Sequence, residues 1–262
     1  MPAWVDFEIE STEYLHRTFG TYATFDHKGG RDANVSDIEV LTKTGKRFYI
    51  EAKHCPAQCG QFVLLPDIGT QTFVYSGQNA TQINAYSAAI MKHMNEHFDA
   101  YKEAGTAGRD IDMENGPAIF ASWIVQAYKD KGAKFIITNN NIVLPIESFA
   151  QYFSVVATYR VKRSGSSSVG KGRISVVENY LRANYPLSTV TASGDRLFAV
   201  SDRYLHNKRF VIDGTEYMIS QRQDRYEIRR LSNTFNANVI FSIDLKPGVR
   251  GLSNSEFISF LR

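Results

Sequence analysis

The stretch SDIEVLTKTGKRFYIEAKHC, residues 36–55, constrains the fold of this chain more than any other. It reads as two strands, 36–42 and 47–53, joined by a turn at Thr44-Gly45. Side chains alternate across a strand, so Phe48, Ile50 and Ala52 face one way and Tyr49, Glu51 and Lys53 the other. The first set suits a core. The second places a carboxylate and an ammonium side by side, and pairing through the turn brings Asp37 back towards Glu51.

The surrounding pattern is mixed α/β. Residues 5–19 read as a helix stopped by Gly20, and 21–28 as a short strand. The apolar run 62–65 ends at Pro66, and 80–104 reads as one long helix through Ile83, Tyr86, Ile90, Met94 and Phe98. A second buried helix is expected at 117–131, a hairpin over 133–146, a short helix at 147–153 and a strand at 154–163. The small, polar segment 164–172, SGSSSVGKG, reads as a flexible loop. Beyond it come one helix, ISVVENYLRANY, and several strands. The expected division is a core over 1–155 and a basic, strand-rich region over 156–262, the latter either separate or packed on the core as one domain.

With 43% hydrophobic residues the chain can build a real core. No apolar run reaches the ~18 residues of a membrane span. The start, MPAWVDFEIESTE, lacks the basic-then-apolar order of a signal peptide, so a cytoplasmic location is expected. Cys55 and Cys59 form a C-x3-C pair with no second Cys/His pair nearby, a poor zinc set, and read as ordinary thiols. Net charge is only +3, but it is unevenly spread. Residues 158–230 hold 14 Lys and Arg against 7 Asp and Glu, while the rest of the chain is net acidic. That asymmetry points to an acidic partner such as nucleic acid.

Two converging carboxylates, Asp37 and Glu51, make a hard oxygen site suited to Mg²⁺, whose other positions are filled by waters and substrate phosphate. Such an ion polarises a phosphoryl oxygen and acidifies water. A neighbouring lysine, Lys53, can orient that water or stabilise the charge that develops on phosphorus. Together these suit phosphodiester hydrolysis. Asp37 followed fourteen residues later by Glu51-Ala52-Lys53 resembles the PD-(D/E)xK nucleases, which include most type II restriction endonucleases. Residue 36 is Ser where the family pattern has proline.

The resemblance covers about the first hundred residues. It implies a restriction-endonuclease-like core, a mixed sheet flanked by helices, and Mg²⁺-dependent cleavage of double-stranded DNA at a short specific sequence. It also implies a supporting carboxylate from the first helix, for which Glu10 is the candidate, with Glu8 and Glu13 open. A palindromic target is most simply read by a homodimer. Alternatives are a structure-specific endonuclease, such as a junction resolvase or repair nuclease, and a DNA-binding protein without turnover.

A second triplet, Asp244-Leu245-Lys246 with Asp224 twenty residues upstream, also has an acceptable spacing but leaves only about sixteen residues for the helix and strand that should follow. The early site is therefore preferred. For DNA contact the candidates are Gln58 and Gln61 just past the triplet, and more weakly Gln82 on the following helix. Lys162, Arg163, Lys171 and Arg173 flank the 164–172 loop, which would act as an arm ordered by DNA. Arg225 and Arg229 share one strand face, within a group that includes Arg203, Lys208, Arg209, Arg222 and Arg230.

Overall fold

The structure is a computed structural model that describes residues 3–29, 35–163, 165–232 and 234–262; the side chains of Ala3 and Arg163 lie outside the described part. In chain order the main elements are α1 (Ala3–Phe19), β1 (Ala23–His27), β2 (Ile38–Thr42), β3 (Arg47–Lys53), β4 (Ala57–Asp67), β5 (Thr72–Tyr75), α2 (Ala85–Glu96) and α3 (Phe98–Tyr101). Then follow β6 (Arg109–Asp110), α4 (Gly116–Asp130), β7 (Ala133–Thr138), β8 (Ile142–Pro145), α5 (Phe149–Tyr152), β9 (Phe153–Arg163) and β10 (Ser166–Ser167). The chain ends with α6 (Ile174–Asn184), β11 (Thr189–Ser193), β12 (Arg196–Val200), β13 (Arg209–Ile212), β14 (Thr215–Gln221), β15 (Tyr226–Leu231), β16 (Phe235–Leu245) and α7 (Asn254–Leu261).

Two compact units form: Met1–Arg160 with Ala237–Arg262, and Val161–Asn236. This corrects the expected division at 155/156. The cause is β16, which pairs antiparallel with β4, Val239 opposite Phe62 and Ile243 opposite Ala57, and so carries the last residues back into the first unit.

The first unit holds two sheets. One has the order β1-β2-β3-β7-β8, with β3 and β7 parallel and the other pairs antiparallel. The hairpin register, Ile38 opposite Ile50 and Val40 opposite Phe48, is the one that the alternation demands. Its turn closes through Gly45, whose φ of 84° suits glycine and whose N–H reaches the Thr42 carbonyl. Ile38, Val40, Phe48, Ile50 and Ala52 pack with Leu15 and Phe19 of α1 and Phe257 and Leu261 of α7. Each fully buried Ile or Phe contributes roughly 1.5–3 kcal/mol. β3 lies between β2 and β7, and Glu51, on its other face, is buried as well.

The second sheet has the order β5-β4-β16-β9-β6. Trp123 of α4 stacks on Phe241 at 4.5 Å and meets Phe62 at 5.4 Å. A Cβ at Gly60 would sit 2.7 Å from the Trp123 ring, so the strand approaches this helix only without a side chain there. β4 runs through Pro66 rather than stopping at it. Pro66 lies beyond the residues paired with β16, where its missing N–H breaks no ladder bond.

The expected helix over 80–104 is two helices. Asn84 caps α2 by accepting from the N–H groups of Tyr86 and Ser87, and the backbone breaks at His97. Gln82 and Ile83 are therefore exposed residues ahead of the helix.

The second unit is an antiparallel sheet in the order β11-β12-β15-β14-β13, with β10 beside β15 and α6 packed through Val177 and Leu181. The expected mobile arm is laid onto this sheet. Ser166 and Ser167 pair with Leu231 and Arg230, Val169 is buried in the core, and Ser168 donates to the Asp195 carboxylate. Among the described residues no helix is long and apolar enough to cross a membrane.

Candidate active site

The register that buries Ile38 against Ile50 carries Asp37 to the level of Glu51 and Ala52. The Ala52 N–H donates to Asp37 Oδ2 at 3.0 Å. Lys53 Nζ lies 2.7 Å from Glu51 Oε1 and 3.5 Å from Asp37 Oδ2. All three side chains are largely covered, at 8% exposure for Glu51, 16% for Asp37 and 18% for Lys53. A plain surface salt bridge is thus the wrong description, since exposed pairs of that kind sit in water.

Burial is the main force raising the Asp37 carboxyl to a pKa of about 6. The Glu51 charge adds to it and Glu8 adds further, against the opposing pull of Lys53 and the Ala52 N–H. For Lys53 burial alone would favour the neutral amine, but Glu51 and Asp37 outweigh it and raise the pKa above the usual lysine value. The ammonium stays charged and the carboxylates outnumber it. Hard oxygen donors in negative surplus are the chemistry of a divalent-cation site, and two carboxylates fit Mg²⁺. Among the described residues no group of three or more His, Cys, Asp or Glu could hold an ion by itself, so waters and phosphate would complete the coordination.

The first-helix carboxylate is a correction. Glu10 is exposed, as is Glu13, whereas Glu8 is 4% exposed and bonds His27 Nε2 at 2.9 Å. Buried α1 positions run Glu8, Ser11, Leu15 and Phe19, and a residue two places on points about 200° away. Glu8 raises the pKa of both Asp37 and Lys53 electrostatically. Gly29 is fitted to this pair, for a Cβ there would run into the Glu8 carboxylate and the His27 ring.

A cleft of about 310 Å³ opens on the site, lined by Glu51, Lys53, Gln58, Gln61, Thr81, Trp123, Tyr128 and Lys131. Gln58 and Gln61 are thus brought together as the sequence suggests, with Gln58 Nε2 donating to Gln61 Oε1 at 3.3 Å. Gln82 is not among the lining residues. Lys131, which sequence reading missed, ends α4 and adds a cation to the cleft wall. A lysine at a helix C-terminus was the available signal.

The decoy triplet forms no such site. Lys246 Nζ donates to the Ala150 carbonyl at 2.8 Å, and Asp244 Oδ1 accepts from the next N–H in the chain.

In the second unit Lys162 and Lys171 are exposed. Arg173 is held by Asp213 at 3.0 Å. Arg229 is spent within the fold, donating to Glu227 at 2.8 Å and to the Ser166 carbonyl at 2.6 Å, so its expected place at a DNA surface is corrected. The Arg225 guanidinium carbon lies 4.2 Å from the Phe198 ring centroid, and the side chain is half exposed.

No protein-family model matches the sequence, and no curated protein does. Among solved structures, HhaI endonuclease in complex with DNA matches at 38% identity with a TM-score of 0.77, covering 98% of this chain and 97% of that one. Identity at this level over both whole chains extends the likeness well past the first hundred residues, and the chain belongs to the family of HhaI endonuclease, a type II restriction endonuclease of the PD-(D/E)xK superfamily.

Proposed function

We propose that the protein is a Mg²⁺-dependent endonuclease that hydrolyses double-stranded DNA at a short specific sequence. The observation that carries this reading is the Asp37–Lys53–Glu51 cluster, two covered carboxylates around one ammonium, with Glu51 and Lys53 lining a cleft. The likeness to an endonuclease in complex with DNA supports duplex DNA as the substrate.

Asp37 and Glu51 would hold the ion, with Glu8 adding negative charge behind them. When bound, Mg²⁺ supplies charge that polarises the scissile phosphoryl group and makes water nucleophilic at neutral pH. Lys53 donates to the attacking water or to the oxygens of the pentavalent phosphorus, where charge develops. Lys131 faces a phosphate, and Gln58 and Gln61 donate to DNA from the same wall.

The test is incubation of phage DNA and supercoiled plasmid with the protein and Mg²⁺. Discrete bands that vanish in EDTA and with Lys53→Ala are expected. Intact DNA under every metal would sink the proposal, and preferential cutting of branched over linear DNA would replace sequence with structure as the thing read. The order of strand cutting reports the assembly. Linear product without an open-circle intermediate is the mark of a two-fold pair, and accumulating nicked circles of one chain acting alone.

A further inference from the structure

Four residues separate Lys53 from Gln58, and across them the chain passes from one sheet of the first unit to the other. On one edge of this segment, β16 pairs with residues from Ala57 to Val63. On the other edge β5 pairs only from Leu64 onward, so among the described residues no strand covers it before that point. Side chains take the place of the missing strand. The Cys55 N–H donates to Asn139 Oδ1 at 2.7 Å, and Asn139 Nδ2 donates to the Cys55 carbonyl at 2.8 Å. Tyr128 Oη donates to the Cys59 carbonyl at 2.6 Å. Asn79 repeats the two-way pattern at Val63, accepting from its N–H at 2.7 Å and donating to its carbonyl at 3.0 Å.

A side-chain amide carries the donor and the acceptor of a peptide group, so an asparagine can stand in for one residue of a ladder. Asn139 does so where the ladder itself stops. Thr138, the residue before it, is the partner of Lys53 in the parallel β3/β7 pair. The backbone then turns away through Asn140 and Asn141, with φ of 60° and 58°. Tyr128 lies on α4, the helix that leads into β7. Both pins therefore come from the part of the chain that already pairs with β3.

The pinned residues Cys55 and Cys59 are buried, while Gln58 and Gln61 are exposed and line the cleft with Glu51 and Lys53. Satisfying buried backbone groups is one reason for such bonds. Their placement adds a second, a common reference for the lysine and the glutamine wall. Cleavage requires the reacting atoms at near-attack distance, and about 1 Å of error costs on the order of 10²-fold in rate. We propose that Asn139 and Tyr128 are positioning residues for the cut. They fix the 55–61 segment relative to Lys53, so that DNA seated against the glutamines presents its phosphate to the Asp37–Lys53–Glu51 cluster. This inference rests on the endonuclease reading above.

The test uses the full chain in excess over supercoiled plasmid, with Mg²⁺ added to start a single turnover. Three quantities are read: the rate constant at saturating protein, the protein concentration that gives half of it, and the fraction of plasmid cut. Tyr128→Phe, which removes one oxygen and keeps the ring, and Asn139→Ala should each lower the saturating rate constant about 10- to 100-fold. The half-saturating concentration and the fraction cut should hold. Should Asn139→Ala not fold, Tyr128→Phe decides alone. An unchanged rate constant in either folded variant would overturn the inference. Joined to a smaller fraction cut it would mark the bonds as merely structural, and joined to a higher half-saturating concentration it would assign the segment to binding. In those cases wild type still cuts and the nuclease reading stands. A wild type that cuts nothing removes the nuclease reading, and this inference with it.

Discussion

The carboxylate of Asp37 accepts a hydrogen bond from the backbone N–H of Ala52, the residue between Glu51 and Lys53. The two halves of the site, one just ahead of β2 and the other on β3, are thereby locked in register by a bond that involves no other side chain. Asp37→Asn keeps an acceptor there and loses the charge, so cleavage should fall on the order of 10²–10³-fold with melting little changed. Asp37→Ala also strands a covered N–H, at a cost of about 1–3 kcal/mol. Thermal melts and plasmid cleavage of the two variants separate these effects. Equal stability of the two would show that the bond contributes nothing to the fold.

Divalent ions should stabilise the folded protein, since they bind the assembled carboxylates and not the unfolded chain. At ten times its dissociation constant, Mg²⁺ or non-catalytic Ca²⁺ should add roughly 1.4 kcal/mol, or about 3–6 °C for a chain of this size. Glu51→Gln should abolish the shift. A melting curve indifferent to both ions would remove the metal from the site.

Glu8 and Glu10 are two residues apart, yet only Glu8 is buried beside His27. Glu8→Gln is expected to lower metal affinity and cleavage about 10- to 100-fold, as losses behind a metal ligand do. Glu10→Gln should leave both unchanged. The reverse result would mean that the face of α1 turned to the site is the wrong one.

Lys131 should act on binding and not on turnover. Lys131→Ala is expected to reduce the slope of log K against log salt by about one, the loss of a single phosphate contact, while kcat holds. A lower kcat with an unchanged salt slope would put Lys131 in the chemistry instead.

Glu227 carries a pH dependence. Burial pushes its pKa up, but hydrogen bonds from Arg222 and Arg229 outweigh this and leave it below the usual glutamate value. A depressed carboxylate binds fewer protons folded than unfolded, so its stabilisation is present above about pH 4.5 and fades as pH falls through the folded pKa. Melting of wild type and Glu227→Gln should differ most near neutral pH and converge as the pH falls through the folded pKa of Glu227. A gap that stayed constant across that range would mean that the charge of Glu227 is not what holds the arginines.

The hairpin and its three charged residues were readable because parity and a glycine turn are local rules that the sheet then had to obey. Glu8 was not singled out, since three glutamates on one helix differ only in which turn meets the sheet, and that depends on packing. The single helix expected over 80–104 ignored Asn84, a capping residue that set the start of α2. Lys131 shares a cleft with Glu51 and Lys53, and β7, which follows it, pairs parallel to β3 across some eighty residues, a contact with no trace in local pattern. The placement of Arg229 failed for a related reason. Alternation put it rightly on the face of Glu227, but could not show that Glu227 would be buried and claim it.

The chain leaves the first unit on β9 and returns on β16, and these strands are neighbours in one sheet. Adjacent strands lie about 4.8 Å apart. The intervening 161–236 segment is therefore a loop in the topological sense, however large, and its contents can be rewritten while the strand order of the nuclease unit stays as it is. Such an insert can drift, or be exchanged for another, while the strands that position Asp37, Glu51 and Lys53 keep their places.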